Sequence, residues 1–291
     1  MNVEDWKLSG QFHRCLGHRI FYQDAGAGDV LLCIHGFPTA SWDWHRLWPD
    51  LIRRFRVIAP DLLGFGFSDK PADHDYSLFT QTTLLEELLQ TLNIRAVHVM
   101  AHDYGVTVAQ ELLSRQFERR RQGTGITVRS VTLLNGGLFP EATRPLFIQK
   151  VLKNPLAGPV LARLLSERTF RRSFSRVFAP GNRPTDPQLH AFWSLIAHND
   201  GQRVAHRVSR YQDERRAYRA RWTRALQHAG VPLRLIIGPQ DPVSGLAIAA
   251  RFRELIAEPD VVVLDGVGHY PQVEAPDRVL EALLAFVDGV S

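Results

Sequence analysis

Short apolar runs alternate with longer segments of helical periodicity through both ends of the chain. Apolar runs of about four to eight residues, rich in β-branched side chains, predict strands, whereas apolar residues that recur every three or four positions predict helices. Seven runs are predicted as strands, at residues 19–23, 30–34, 56–59, 96–101, 128–134, 233–237 and 261–264. Four segments are predicted as helices, at residues 78–92, 106–117, 246–256 and 276–287.

The alternation stops after Asn135-Gly136-Gly137 and resumes at Pro232. Between these points the chain contains arginine-rich helical segments separated by Pro and Gly breaks, and no run that predicts a strand. Strands that alternate with helices indicate βαβ units on a parallel sheet. We therefore predict an α/β core formed by residues 1–136 and 231–291, with a helical cap at residues 137–230 inserted between its two parts.

Composition and charge narrow the choice of partners. The 291 residues are 45% hydrophobic and 22% charged, which is typical of a globular protein and excludes disordered, collagen-like and coiled-coil chains. The net charge of +5 first suggests nucleic acid, but the 17 basic and 6 acidic residues of 137–230 show that the excess lies in the insertion. There the arginines are interleaved with apolar residues at helical spacing, as on a solvated face. We expect no nucleic-acid partner, while an anionic substrate and an acidic membrane surface stay open.

Targeting and cofactor signals are lacking in the sequence. The amino-terminal residues have no basic stretch followed by an apolar one, and no apolar run approaches the roughly 18 residues of a transmembrane helix. Cys33 lies in an apolar run that predicts a buried free thiol. No His or Cys pair has metal-ligand spacing, and no glycine-rich phosphate loop is present. We expect a cytoplasmic protein without a transmembrane segment, a metal or another cofactor.

The join between the predicted strand at 96–101 and the helix after it carries the most informative motif, Ala101-His102-Asp103-Tyr104-Gly105. Small residues on both sides of a central nucleophile, at a strand-to-helix turn, are typical of a nucleophile elbow, which projects the central side chain. Here that side chain is Asp103. Taken alone, the pentapeptide fits equally well an aspartate that caps the following helix.

Three further positions favour catalysis. The motif His35-Gly36-Phe37-Pro38 follows the second predicted strand, where the Phe37 N–H would form an oxyanion hole with the N–H of Tyr104. Asp241 and His269 each follow one of the last two predicted strands. Since the carboxyl ends of parallel strands meet at one edge of a sheet, we predict a catalytic triad of nucleophile, acid and histidine in this chain order.

An aspartate at the elbow changes the expected chemistry. Asp103 would already be ionised at pH 7, so it can attack without a base, but attack on an ester would give an anhydride. Saturated carbon is the better target, because opening an epoxide or displacing a halide forms an alkyl ester on Asp103. His269, oriented by Asp241, would then activate the water that hydrolyses this ester.

These motifs resemble the α/β-hydrolase superfamily over nearly the whole chain. Residues 61–71, Asp-Leu-Leu-Gly-Phe-Gly-Phe-Ser-Asp-Lys-Pro, are similar to a loop of its epoxide hydrolase and haloalkane dehalogenase branch. The resemblance implies an α/β-hydrolase fold, with a mostly parallel central sheet, helices on both faces and an inserted helical cap. It also implies the two-step reaction through an enzyme ester.

The resemblance further implies that cap tyrosines, usually a pair, protonate the leaving oxygen of an epoxide. Only Tyr211 and Tyr218 lie in the insertion, and Tyr211 matches the late-cap donor better. The early cap has no Tyr, so a second donor would have to be Tyr218, His190 or His198. The alternative for Tyr211 is an aromatic side chain that only packs on the core.

We therefore favour an epoxide hydrolase-like enzyme for a small-molecule substrate with an apolar portion. A haloalkane dehalogenase-like hydrolase is one alternative, although dehalogenases of this branch usually place Trp and Asn where this chain has Tyr104 and Phe37. A non-catalytic binding or regulatory homologue is another, motivated by the missing early-cap Tyr. The sequence leaves the formation of a homodimer open.

Overall fold

The computed structural model describes residues 1–119, 123 and 125–290, and within them one mixed sheet of eight strands. Its strands are β1 (Gln11–Cys15), β2 (His18–Ala25), β3 (Val30–Ile34), β4 (Arg56–Pro60), β5 (Ala96–Ala101), β6 (Thr127–Leu134), β7 (Leu233–Ile237) and β8 (Asp260–Val263). Their order across the sheet is β1-β2-β4-β3-β5-β6-β7-β8. β1 pairs antiparallel with β2 and β2 antiparallel with β4, and all the other pairs are parallel.

Helices connect the strands and cover the sheet. Those that belong to the predicted core are α1 (Val3–Ser9), α2 (Trp48–Arg54), α3 (Leu78–Thr91), α4 (Tyr104–Arg119), α12 (Leu246–Leu255), α13 (Pro271–Glu274) and α14 (Pro276–Asp288). Those between β6 and β7 are α5 (Phe147–Leu152), α6 (Ala157–Leu164), α7 (Glu167–Phe174), α8 (Asp186–Ala197), α9 (Ala205–Val208), α10 (Tyr211–Ala217) and α11 (Arg219–Gln227). Short 3-10 helices occupy Ser41–Trp44, Pro140–Ala142, Ser175–Val177, Pro180–Asn182 and His198–Val204.

The seven predicted strands and four predicted helices are all present, with ends that shift by at most a few residues. β1 was not predicted, because Gln11–Cys15 buries only Cys15 and has no apolar alternation. Its place is set by pairing with β2, from Gln11 opposite Tyr22 to Cys15 opposite His18. Cys33 is buried as a free thiol, as predicted. Arg120, Arg121, Gln122, Thr124 and Ser291, which fall in the predicted core segments, lie outside the described residues.

Strand β3 shows why the sheet needs helices on both faces. Successive side chains of a strand point to opposite faces. Leu32 and Ile34 join the hydrophobic core on one side of the sheet, whereas Leu31 and Cys33 join the core on the other, and all four are fully buried. A strand that is apolar on both faces is stable only between two layers of helices.

The seven helices between β6 and β7 lie where the sequence predicts the insertion, and the described chain forms no strand between Leu134 and Leu233. This helical segment is attached to the core through α11, which packs along α4. The Trp222 indole and the Arg221 guanidinium of α11 both donate to the buried Glu111 carboxylate of α4. Within the described residues, no helix combines the length and the apolar character needed to span a bilayer.

Candidate active site

The turn between β5 and α4 holds Asp103 in a strained backbone conformation. Its φ is +41°, in the left-handed region that side-chain-bearing residues rarely adopt. The turn is tight because glycines surround it: a Cβ on Gly105 would lie 2.4 Å from the Ile34 carbonyl oxygen, and one on Gly136 would lie 2.9 Å from the Asp103 Cα. Backbone strain of this kind often marks functional sites. The geometry is that of the elbow predicted from the motif.

The two carboxylate oxygens of Asp103 face different groups. Oδ2 accepts a hydrogen bond of 3.1 Å from the Phe37 N–H, and Oδ1 lies 3.9 Å from Nε2 of His269. Tyr104, which carries the other predicted oxyanion donor, opens α4, where the first N–H groups have no acceptor within the helix. In the described chain, no hydrogen bond joins this N–H to the Asp103 carboxylate. Attack by Oδ1 would leave Oδ2 bonded to the Phe37 N–H, one of the two donors of the predicted oxyanion hole.

His35 holds the loop that presents Phe37. Its Nδ1 donates to the Gly36 carbonyl at 2.9 Å, and its Nε2 accepts from the Leu62 N–H at 3.0 Å. Burial lowers the pKa of His35, against the charges of Asp61 and Asp43, which favours this neutral tautomer. The loop is therefore fixed by a side chain that the motif contains but sequence reasoning did not assign.

Asp241 orients His269. The Nδ1–H of His269 donates to Asp241 Oδ2 at 2.7 Å, and the same carboxylate accepts from the Val243 N–H at 2.7 Å and from the Ser244 hydroxyl at 2.6 Å. Burial alone would raise the pKa of Asp241, but His269 and these hydrogen bonds outweigh it and lower the pKa to about 2. Asp241 is therefore a permanent negative charge that fixes the ring of His269.

Asn135 is a contributor that sequence reasoning missed. It directly follows β6, between the strands that lead to Asp103 and Asp241, and its backbone carbonyl accepts from the Asp103 N–H at 2.9 Å. Its side-chain Nδ2 donates to Asp241 Oδ2 at 2.8 Å. A polar residue at the end of a buried strand, in the position that Asp103, Asp241 and His269 share, is the signal that could have identified it.

Negative charge on both sides controls the basicity of His269. Burial would lower its pKa, but the charge of Asp241, the hydrogen bond to it and then the charge of Asp103 raise the pKa to about 9. His269 is therefore protonated at neutral pH. Loss of the Asp103 charge would lower this pKa.

Two adjoining cavities lie beside the candidate catalytic residues. The apolar chamber is lined mainly by aliphatic and aromatic side chains and reaches Phe37 and His269. The polar chamber is lined by Asp103, Pro140, Thr143, Pro145, Gln149, Tyr211, Gln212, Arg215, Arg216 and Val243. Gln149 and Val243 line both chambers, so the two adjoin.

Tyr211 lies over the predicted oxyanion hole. Its ring packs against those of Tyr104 and Phe37, at centroid distances of 4.9 and 5.9 Å, and it lines the polar chamber with Asp103. Burial first, and the charge of Asp103 second, raise the pKa of Tyr211, so its hydroxyl stays protonated. The side chain both packs on the core and faces the cavity, so the two interpretations of Tyr211 are compatible.

The structure does not bring the other predicted donors to either chamber. Tyr218 packs against Phe79 on an exposed surface, and the exposed His190 pairs with Glu167 at 2.9 Å. His198 packs against Phe67, and burial, followed by the charges of two lysines, lowers its pKa to about 4. None of these three side chains lines the polar or the apolar chamber.

Helices α5 and α10 contribute four polar side chains that sequence reasoning did not single out, Gln149, Gln212, Arg215 and Arg216. Gln149 lines both chambers, while Gln212 and Arg215 of α10 line the polar one. The guanidinium of Arg215 donates to the backbone carbonyl of Asp103 at 2.7 Å. Arginine was abundant in the insertion, and no signal in the sequence separated this buried one from its exposed neighbours.

Comparison of the chain with known proteins identifies related families and proteins. A family model described as the alpha/beta hydrolase fold matches residues 29–276. The mesoderm-specific transcript protein of Mus musculus is 42% identical over 297 residues, which cover 99% of this chain and 88% of that protein. A Mycobacterium tuberculosis protein named "Putative hydrolase LipZ" is 38% identical over 98% of both chains.

Solved structures share the fold at lower identity. An epoxide hydrolase, CorEH, superposes with a TM-score of 0.79 at 21% identity and covers 97% of this chain and 99% of its own. The haloalkane dehalogenase DbeA from Bradyrhizobium elkani superposes with a TM-score of 0.81 at 21% identity, over 97% and 98% of the two chains. The match to the family model, the relatives that align over nearly the whole chain and the shared fold confirm the resemblance that the motifs indicated. The chain belongs to the α/β-hydrolase family.

Proposed function

We propose that the protein is an epoxide hydrolase-like enzyme in which Asp103 is the nucleophile. The observation that carries this proposal is the placement of one carboxylate between an oxyanion donor and a histidine, with Oδ2 3.1 Å from the Phe37 nitrogen and Oδ1 3.9 Å from His269 Nε2. A carboxylate in this position needs no base to become a nucleophile. The family membership is consistent with hydrolysis but does not identify the bond that is cleaved. The geometry around Asp103 is what supports cleavage of an epoxide C–O bond.

In the first step, Oδ1 of Asp103 attacks an epoxide carbon, and the C–O bond of the ring breaks. The released oxygen takes a proton from the Tyr211 hydroxyl, because an alkoxide is a stronger base than a phenolate even when burial raises the pKa of the tyrosine. The product of this step is an alkyl ester of Asp103. The apolar chamber accommodates the apolar portion of the substrate.

Ester formation prepares the second step. Asp103 loses its negative charge, so the pKa of His269 falls from about 9 and the ring can release its proton to become a base. Neutral His269 then removes a proton from water, which attacks Cγ of Asp103. The Phe37 N–H, which already donates to Oδ2, and the Tyr104 N–H, which has to approach it, stabilise the oxyanion that forms at Oδ2. When the Cγ–Oδ1 bond breaks, the alcohol leaves with the proton from His269. Asp103 is left as a carboxylic acid, and the proton that it gives up returns through solvent to the Tyr211 phenolate.

The decisive experiment is single-turnover mass spectrometry of the His269→Gln variant with a panel of epoxides and haloalkanes. Ester formation does not require His269, whereas ester hydrolysis does, so we expect a covalent adduct that maps to Asp103. The His269→Gln/Asp103→Asn double variant is the matched control and should form no adduct. An unchanged protein mass with every electrophile would contradict the proposal and favour a non-catalytic homologue.

The panel also separates the two enzymatic alternatives. Adducts with epoxides that retain the ring oxygen as a hydroxyl would support ring opening. Adducts with haloalkanes alone, accompanied by release of halide, would instead identify a dehalogenase. Tyr211→Phe should slow adduct formation from epoxides by about 10²-fold or more if its hydroxyl is the proton donor, and leave the reaction of haloalkanes nearly unchanged.

A further inference from the structure

Arg215 is a buried cation beside Asp103. Its side chain comes from α10 of the cap, is 6% exposed, and donates from Nη2 to the Asp103 carbonyl at 2.7 Å and from Nε to the Thr107 hydroxyl at 2.7 Å. Its guanidinium also lies 4.5 Å from the centre of the Tyr211 ring. Both hydrogen-bond acceptors are neutral, and within the described chain no carboxylate oxygen lies within 4 Å of Arg215. Buried charges are normally paired, so this cation is set up for an anion that the chain itself does not supply.

The chain makes room for this guanidinium. A Cβ on Gly137 would lie 2.4 Å from Nη1 of Arg215, so a residue with a side chain at this position would displace the group. Gly137 belongs to the loop after β6, so this loop leaves space for the Arg215 guanidinium.

Gln212 supplies a second, independent observation. It is 8% exposed and lines the polar chamber one residue after Tyr211. Neither its amide oxygen nor its amide nitrogen has a hydrogen-bond partner among the described residues. Leaving a buried amide without partners is unfavourable, so a ligand that supplied those partners would be stabilised. Both unpartnered groups border the same cavity as Arg215.

We propose that Arg215 and Gln212 form a binding site for a substrate carboxylate, so that the enzyme prefers epoxides that bear a carboxylate close to the reacting carbon. The proposal rests on the function proposed above and adds the substrate class to it. A planar guanidinium matches the geometry of a carboxylate, and the amide of Gln212 adds a neutral donor. The apolar chamber then takes any apolar substituent on the other side of the epoxide.

The charge of Arg215 also bears on whether an anionic substrate can bind next to the negatively charged Asp103. The negative charge of Asp103 would repel a carboxylate in the same cavity, and the buried charge of Arg215 offsets that repulsion. After the ester has formed, Asp103 is neutral and the substrate carboxylate becomes the anion that pairs with Arg215. The site therefore stabilises the ester intermediate more than the free substrate.

The test compares two small epoxides of the same shape, oxirane-2-carboxylate and its neutral amide, oxirane-2-carboxamide. In the His269→Gln background we expect the carboxylate to form the Asp103 adduct at least about tenfold more efficiently than the amide at low substrate concentration. Arg215→Met should abolish this preference, and Gln212→Leu should reduce it several-fold. Arg219→Met, which alters an exposed arginine on the neighbouring helix, should leave the preference intact.

A non-reactive probe separates this inference from the proposed function. Binding of propionate and propionamide to the wild-type protein, followed by NMR, requires no chemistry. Tighter binding of propionate that is lost in Arg215→Met and weakened in Gln212→Leu would support the site even if no epoxide formed an adduct. If the amide and the carboxylate react equally well and propionate shows no preference over propionamide, the carboxylate site is refuted, while the Asp103 adduct still supports the proposed function.

The Gln212→Leu variant distinguishes carboxylate binding by Arg215 from a purely structural role of this side chain. The contact of Arg215 with the Asp103 carbonyl could make Arg215→Met slow for both epoxides because the elbow moves. Gln212 makes no such contact, so its substitution leaves the elbow in place. A Gln212→Leu variant with unchanged preference, together with equal losses for both epoxides in Arg215→Met, would mean that Arg215 only holds the elbow, and would overturn the proposal.

Discussion

At the scale of single residues, the charge of Asp103 and the basicity of His269 depend on each other. The Asp103 carboxylate is one of the groups that raise the pKa of His269 to about 9, although Asp241 and its hydrogen bond contribute more. The nucleophile of the proposed reaction thus helps to keep its own base protonated until the nucleophile has been consumed.

We therefore predict that Asp103→Asn lowers the pKa of His269 below the value in the wild-type protein. The substitution removes a negative charge that stabilises the imidazolium, while the bond to Asp241 stays in place. An NMR titration of the imidazole signals measures this pKa directly. Asp277→Asn, which neutralises an exposed carboxylate at the start of α14, should leave it unchanged. Equal pKa values in the wild type and in Asp103→Asn would contradict the proposed coupling.

The same coupling fixes the sign of the pH dependence of ester hydrolysis. Water activation requires neutral His269, so the breakdown of the ester should slow as the pH falls through the pKa that His269 has in the ester. Because the ester carries no charge at Asp103, this midpoint should lie below about 9. Rapid-quench mass spectrometry of the wild-type adduct at several pH values gives the rate. A midpoint at or above that of the free enzyme would be inconsistent with the proposed sequence of steps.

At the scale of elements, the close packing of α4 against β3 places Asp103. The Gly105 N–H donates to the His35 carbonyl at 3.1 Å, and the first turn of α4 passes directly over the end of β3. A Cβ on Gly105 would meet backbone oxygens of Ile34 and His35 at 2.4 and 2.8 Å, and backbone of a central strand cannot give way as a flexible side chain can. The position of the candidate nucleophile therefore depends on a missing side chain.

We predict that Gly105→Ala lowers the free energy of unfolding by about 1–3 kcal/mol, as overpacking of a close contact usually does. It should also suppress adduct formation at Asp103, because α4 can accept the methyl group only by moving away from β3. Urea denaturation and the mass assay measure the two effects. Gly181→Ala is the matched control, since a Cβ there meets nothing within 4 Å, and it should change stability by less than about 0.5 kcal/mol. Equal stability of the two variants would show that the elbow tolerates a side chain.

At the scale of the whole molecule, the helical insertion is joined to the core by a buried ion pair. Glu111 of α4, whose side chain is 1% exposed, accepts from Arg221 at 2.7 Å, from the Trp222 indole at 2.9 Å and from Arg115 at 3.0 Å. Glu118, about two turns further along α4, binds the same Arg221 but is 55% exposed. The two carboxylates thus share one arginine and differ in burial.

We predict that Glu111→Ala lowers the free energy of unfolding by about 3–5 kcal/mol, because it leaves the partly buried Arg221 and the Trp222 N–H without their shared acceptor. Glu118→Ala should lower it by less than about 1 kcal/mol, as expected for an exposed ion pair. Chemical denaturation of both variants provides the comparison. Similar losses in the two variants would mean that burial does not decide the strength of this junction.

The alternation of strands and helices, the elbow and the three positions Asp103, Asp241 and His269 could all be predicted from the sequence. Each rests on local information: β3 is apolar on both faces, and the candidate residues follow directly after predicted strands. Once parallel strands lie side by side, their carboxyl ends share an edge, so residues distant in sequence must meet there. β1 escaped prediction because its polar residues are ordered by pairing with β2 rather than by an apolar pattern of their own.

The arginines between β6 and β7 show what the local sequence does not predict, namely which of these side chains is buried. Arg215 and Arg216 are adjacent and chemically identical, and the sequence determines that they point in different directions, since successive helical residues are about 100° apart. Both border the polar chamber, and only the packing of α10 over Asp103 decided that Arg215 is 6% exposed whereas the Arg216 side chain is 57% exposed. The sequence by itself determined the sheet, the elbow and the order of the candidate residues, because these follow from periodicity and strand ends. Tertiary packing decided which side chains of the helices between β6 and β7 border the cavity, because that depends on how these helices lie against the turn that carries Asp103.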